Sequence, residues 1–214
     1  DWYNRNTASN PLALQAKKTV AFEVWEQLGR RMPDLVYLPV GDGVTLAAFV
    51  HGCEELVRCG AADTIPRVVG VQARGAAPLV QAFADGRSEW TAVQTRTFAD
   101  GIDVGDPYFG RQALDAVART GGTWLAVSDD DLRAAIAALA HTSGILAEPA
   151  GAAAVAGVIA DRRKLSGADQ TVVALVSGTG LKDQRWLPSD GGRTFQIEPT
   201  LDAVERALSV PGTP

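Results

Sequence analysis

One stretch narrows the folds open to this chain more than any other: Asp34-Leu35-Val36-Tyr37-Leu38-Pro39-Val40-Gly41-Asp42-Gly43-Val44-Thr45-Leu46. It passes from an apolar run through a glycine turn into an amphipathic segment, which is the pattern of a strand, a tight loop and a helix. Behind the turn, Leu46, Phe49, Val50, Cys53, Leu56 and Val57 fall at i, i+3, i+4, i+7, i+10 and i+11 and form one helical stripe. Two glycines within three residues let the backbone bend sharply and aim several N–H groups into one small space, where the helix dipole is positive. Such a space suits a phosphate, although the Asp42 carboxylate would repel one unless it faces away. An ordinary strand-to-helix turn has the same appearance, and the loop by itself does not decide between the two.

The rest of the chain repeats the alternation. Residues 1–16 are mixed, with Asn10-Pro11 as a break before a helix whose apolar positions are Val20, Ala21, Val24, Trp25 and Leu28, closed by Gly29 and Pro33. After the central stretch come a strand over 68–71, a short helix over 76–83, and a long connection over 84–107 that is rich in Gly, Asp and Thr. A connection of that length is either functional or an irregular surface excursion. A helix over 106–119 and a strand over 123–127 follow. Ser128 then caps a helix, with Asp131 at the third position and Leu132, Ala135, Ile136 and Leu139 on its apolar face. Pro149 opens an Ala-rich helix to about residue 160, and 171–176 is a continuous apolar strand, as expected of one buried on both faces. That strand ends in a second glycine turn, Ser177-Gly178-Thr179-Gly180, and the last fifteen or so residues read as a short helix with a frayed tail.

Strands alternating with helices predict an α/β fold: a three-layer, mostly parallel twisted sheet with helices on both faces. Ligands of such sheets bind outside the carboxyl ends of the strands, and both glycine turns stand at such ends. If the two strands are neighbours, the turns face one pocket. The expected division is an α/β domain over 1–188 and a tail with a short helix over 189–214.

Bulk properties restrict the function classes. With 46% hydrophobic and 21% charged residues in 214, the chain is globular and long enough for a sizeable core. A net charge of −5 without a basic run speaks against nucleic acid or an anionic membrane as partner and leaves small-molecule chemistry. There is neither a run of eighteen apolar residues nor a signal-peptide pattern. Cys53 and Cys59, six apart on one helix, fall on different faces, so reduced thiols in a cytoplasmic protein are expected rather than a disulfide or a metal pair. The opening Asp1-Trp2-Tyr3-Asn4-Arg5-Asn6 lacks a Met and reads as the interior of a longer or processed chain.

Five stretches, in order, carry a resemblance: Asn10-Pro11 followed by Lys18-Thr19-Val20-Ala21-Phe22-Glu23; Pro39-Val40-Gly41-Asp42-Gly43; Gly75-Ala76-Ala77-Pro78-Leu79; Ile145-Leu146-Ala147-Glu148-Pro149-Ala150; and Ser177-Gly178-Thr179-Gly180-Leu181-Lys182-Asp183. Together they resemble the pyridoxal-phosphate enzymes of the tryptophan-synthase β-subunit fold, the two-domain fold type II, nearest threonine synthase and its relatives. The resemblance implies pyridoxal 5′-phosphate as cofactor, with Gly41, Asp42, Gly43, Val44 and Thr45 holding its phosphate through backbone N–H groups. It implies that Ser177 offers its hydroxyl to the pyridine nitrogen, a neutral partner that suits eliminations and replacements at the side chain.

The chain also departs from that family. The family's Schiff-base lysine belongs to a segment far ahead of the phosphate loop, and Lys17, Lys18, Lys164 and Lys182 all read as surface lysines, so no catalytic lysine is assigned here. Threonine synthases carry an arginine two residues after the Asn-Pro pair, where this chain has Ala13, which weakens recognition of a phosphorylated substrate. Gln72 replaces the glutamate of the dehydratase branch's cation site, so no metal is expected. His51 and His141 read as helix-surface and helix-end residues, and Glu148 as a helix-start carboxylate that family analogy brings near the cofactor.

The expected activity is a threonine-synthase-like elimination or replacement on an amino acid, a carbon–oxygen lyase, completed by an N-terminal segment or a partner chain that supplies the lysine. A serine/threonine or diaminopropionate-type ammonia-lyase is the alternative within the class; a non-catalytic scaffold subunit paired with a lysine-bearing chain is the alternative outside it. The expected assembly is a homo-oligomer.

Overall fold

The computed structural model describes residues 4, 6, 7, 10–165, 169–182 and 196–209. Four strands, β1 (Leu35–Pro39), β2 (Arg67–Ala73), β3 (Thr123–Val127) and β4 (Val172–Ala174), form one sheet in the order β3-β2-β1-β4. All three pairings are parallel, with Val36 opposite both Val68 and Val173. The α/β prediction is met: helices cover both faces.

On one face lie α3 (Val44–Arg58), α4 (Pro78–Ala84) and α5 (Gly110–Arg119). Their core joins Val36, Leu38 and Val40 of the central strand region to Leu46, Phe49, Val50 and Cys53 of α3 and to Ala113 and Val117 of α5. The predicted α3 stripe is therefore the packed face, with Val57 alone half-exposed. On the other face α7 (Pro149–Leu165) lies against β1 to β3, with α6 (Asp129–Ser143) packed on it. Small residues let α7 approach closely: a Cβ on Gly157 would stand 2.8 Å from a Val71 methyl. Beneath it the Tyr37 hydroxyl donates to the Asp161 carboxylate at 3.1 Å, and burial together with the Asp161 charge pushes the phenol far above its ordinary pKa.

Three expectations need correction. Asn10-Pro11 does not break the chain but starts a helix: Asn10 Oδ1 accepts from the Leu12 amide at 3.0 Å, Pro stands in the first turn, and α1 (Pro11–Lys17) leads into α2 (Thr19–Gln27). A proline there costs nothing, because the N–H it lacks has no helical acceptor anyway. The helix expected from 106 begins at Gly110, for a reason given below. Finally, β4 is half-exposed rather than buried on both faces, because it pairs with β1 alone and forms an edge among the described residues.

The capping box forms as predicted: the Ser128 hydroxyl oxygen accepts from the Asp131 amide at 3.1 Å, and the Asp131 carboxylate accepts from the Ser128 amide at 2.8 Å. Residues 1–182 form one compact unit and 183–214 another. In the second, α8 (Leu201–Leu208) is capped by the Thr200 hydroxyl, as a short terminal helix was expected. The boundary expected between 188 and 189 lies outside the described residues.

Candidate active site

Because β1 and β4 are parallel neighbours, the chain leaves both at the same edge of the sheet. Gly41, Asp42, Gly43, Val44, Thr45 and Ser177, the six residues singled out from sequence, accordingly line one cavity of about 320 Å³. That is the lower end of the range for small-ligand sites. A larger groove of about 720 Å³, walled by Phe22, Trp25 and Leu56 between α2 and α3, contains none of these residues and is not the candidate site.

The first turn is built by the backbone. The Val40 amide makes the last sheet bond, to the Val71 carbonyl at 2.8 Å. Gly43 then takes φ +91°, in the left-handed region, and precedes α3 without a side-chain cap. The amides of Val44 and Thr45 therefore stand at the positive end of the helix dipole with no acceptor in the helical ladder. Asp42, the residue that argued against an anion, has its carboxylate engaged: Oδ1 accepts from the Tyr108 amide at 2.6 Å, while its carbonyl accepts from the Phe109 amide at 2.9 Å. These two bonds draw 108–109 away from the helix expected to include them, which is why α5 starts at Gly110.

The second turn is laced to the start of α7. The Glu148 amide donates to the Gly178 carbonyl at 2.9 Å, and the Gly180 amide to the Leu146 carbonyl at 2.8 Å. Gly101 and Ile102 of the long connection supply another wall, so that excursion belongs to the cavity. It is anchored by Asp129, whose carboxylate accepts from the Thr97 hydroxyl at 2.6 Å and the Phe98 amide at 3.3 Å.

Sequence reading took Lys17 and Lys182 for surface lysines and brought Glu148 near the cofactor by family analogy alone; all three line the cavity. Lys17 is half-buried, with Nζ 3.5 Å from the Thr45 hydroxyl; it is not a plain surface lysine. The signal for it was Asn10-Pro11, which read as a cap and first turn would have put Lys17 at the end of a helix. Lys182 pairs with Glu148 at 3.0 Å, and the Glu148 side chain is only 13% exposed. Lys18 is likewise not a free surface residue: it pairs with Glu55 at 2.8 Å, and its hydrogen bond holds the Glu55 carboxyl below its ordinary range. Gln72 is fully buried, its Oε1 accepting from the Leu79 and Val80 amides at the start of α4. His51, beside Glu54 and Glu55 on α3, and His141, in the last turn of α6, are not among the cavity's lining residues.

An α/β sheet with two glycine turns converging on one cavity outside its strand ends has the form of a ligand-binding domain of the open-sheet type. Residues 1–178 match the family model of the pyridoxal-phosphate dependent enzymes, and the chain belongs to that family. It is 35% identical over 205 residues to the threonine synthase of Methanosarcina acetivorans, covering 93% of this chain and 50% of that protein. With the threonine synthase of Mycobacterium tuberculosis the identity is 38% over 177 residues, covering 81% and 46% respectively. Thus the chain spans about half the length of the curated relatives it matches. Among solved structures, a threonine deaminase from T.th. aligns with a TM-score of 0.64 and 25% identity over 87% of this chain and 61% of that one. The L-serine ammonia-lyase of Rhizomucor miehei shares the fold, with a TM-score of 0.65 at 22% identity over 79% of this chain and 53% of the other.

The donor set suits the family's cofactor. Uncapped amides at 44–45 and the Lys17 ammonium could meet a dianionic phosphate, and the Ser177 hydroxyl could meet a neutral ring nitrogen. Among the described residues no cluster of three or more metal-ligating side chains occurs, and no helix is long and apolar enough to cross a membrane.

Proposed function

We propose that the protein performs a pyridoxal-phosphate-dependent elimination or replacement at the side chain of an amino acid, in the manner of a threonine synthase, and that this chain provides the cofactor-binding part. The observation that carries the reading is the shared cavity of the two glycine turns. When bound, the cofactor supplies an electron sink that weakens the bonds at the α-carbon. In this reading Gly41, Asp42, Gly43, Val44 and Thr45 hold the phosphate through backbone N–H groups, with the Thr45 hydroxyl adding a donor. The Ser177 hydroxyl donates to the pyridine nitrogen and keeps it unprotonated. Gly101 and Ile102 restrict water from one side, and Glu148 is held toward Lys182 by their 3.0 Å pair.

The covalent lysine comes from outside residues 1–214, from a further segment or a partner chain, within a cytoplasmic homo-oligomer. Of the four lysines, Lys18, Lys164 and Lys182 are each committed to a carboxylate, and Lys17 stands beside the Thr45 hydroxyl at the phosphate turn rather than beside Ser177 at the ring end assigned above. Borohydride reduction of the intact protein followed by peptide mapping tests the reading. A phosphopyridoxyl-lysine outside these residues is expected, and none anywhere would overturn it.

A second reading, an ammonia-lyase acting on serine or threonine, is favoured by Ala13, which occupies the position where the resemblance to threonine synthases implies a phosphate-binding arginine. Comparing turnover of O-phosphohomoserine with that of serine and threonine separates the two. Dominant release of ammonia from the unphosphorylated amino acids selects the second.

A further inference from the structure

We infer that Lys17 is an anchor for the cofactor's phosphate, closing the turn at 41–45 from the side of α1; this rests on the functional reading above. The lysine reaches the cavity from the last residue of α1, and its Nζ comes to 3.5 Å from the hydroxyl of Thr45 on the first turn of α3. That contact is at the long limit of a hydrogen bond, so it locates the ammonium without exhausting its three donors. Among the described residues Lys17 is the one lysine without a carboxylate partner, because Glu55, Asp161 and Glu148 take the other three. A half-buried cation aimed at uncapped helical amides lacks a counter-charge, and a phosphate dianion supplies it.

The balance of charge in the cavity points the same way. Asp42 and Glu148 bring two negative charges against Lys17 and Lys182, and Glu148 is matched by Lys182 at 3.0 Å. Asp42 is turned onto the Tyr108 amide. Without Lys17 the anion would face an uncompensated carboxylate beside the turn; with it the turn is neutral before the anion arrives and attractive from the α1 side. A backbone turn alone would suffice for a weak anion site, and Lys17 makes it selective for a doubly charged one.

The test compares binding of pyridoxal 5′-phosphate and of pyridoxal, which lacks the phosphate, to the full-length protein and its Lys17→Ala and Lys17→Arg variants. Absorbance or fluorescence titration reads affinity without turnover. Lys17→Ala is expected to weaken pyridoxal phosphate about ten- to a hundred-fold and to leave pyridoxal unchanged, with Lys17→Arg restoring most of the loss. Thermal unfolding of the cofactor-free variants reports whether the fold is kept. An unchanged preference for the phosphorylated form in Lys17→Ala, or equal weakening of both compounds, overturns the role of Lys17 alone. Unaltered cofactor affinity with a raised KM for a phosphorylated amino acid also overturns it, by moving the contact to the substrate. A wild-type protein that does not distinguish the two compounds overturns the phosphate seat itself.

Discussion

Replacing Gly43 by alanine strikes the point where the turn, the long connection and α3 meet. Gly43 sits at φ +91°, where an L-residue pays roughly 1–2 kcal/mol in backbone strain. Its new Cβ would also lie 2.8 Å from the Phe109 carbonyl oxygen and 3.1 Å from the Ala113 Cβ. Neither neighbour can rotate aside, because both are fixed to the backbone at the start of α5. Relief requires lengthening the Phe109-to-Asp42 and Tyr108-to-Asp42 bonds, now 2.9 and 2.6 Å, and weakening them adds about 1–2 kcal/mol. The expected loss is about 2–4 kcal/mol of stability together with a fall in pyridoxal phosphate affinity. Gly60→Ala is the control: φ is +74° there but nothing lies within 4 Å of the new Cβ, so strain alone acts, at about 1–2 kcal/mol. Urea unfolding of both variants separates strain from contact. If Gly43→Ala costs no more than Gly60→Ala and binds cofactor like the wild type, the account of a turn wedged against the 108–113 backbone is wrong.

Other outcomes follow from the packing. Ser128→Ala should cost about 1 kcal/mol at neutral pH. The Ser128 hydrogen bonds lower the pKa of Asp131 in the folded state, so their contribution is present above the unfolded value of about 3.9 and fades as pH falls through the lower folded value. The gap between variant and wild type in thermal unfolding should therefore narrow below about pH 4; a constant gap would remove the carboxylate from the account. Iodoacetamide should label exposed Cys59 in the native protein while sparing Cys53, whose thiol burial pushes up to about 12; equal labelling without denaturant would contradict that burial. Asp161→Ala should destabilise by about 1–3 kcal/mol by stranding the buried Tyr37 hydroxyl, and Asp161→Asn by less, since an amide oxygen can still accept. Equal losses for the two variants in calorimetry would remove the Tyr37 bond from the account and shift the cost to the Lys164 pair, which both substitutions abolish.

Periodicity carried the elements whose environment is simple. The α3 stripe, the Ser128 box and β3 each obey one local rule, and nothing in the tertiary structure overrides it. That both glycine turns stand at carboxyl strand ends was readable, because alternating strands and helices dictate a parallel sheet; that their strands are adjacent came only with the β1–β4 pairing. What escaped were features set by distant partners. Residues 171–176 have the composition of a central strand, but exposure depends on which strands are adjacent. Lys17 looks like any lysine until α1 is folded against α3. The start of α5 is decided by Asp42, far from it in sequence, and no window around 106–110 contains that information.

The union of Asp42 with Tyr108 and Phe109, and of the cavity with Gly101 and Ile102, separates two duties in the chain. The strand-end bends form a seat fixed by the sheet, whereas residues 84–109 are an irregular rim fastened to it at a few points. A relative can lengthen, shorten or recolour that rim and so admit a different guest, leaving the seat and everything beneath it untouched. The tie at Asp42 sets the boundary of that freedom, because any edit that slackens it is felt in the seat at once.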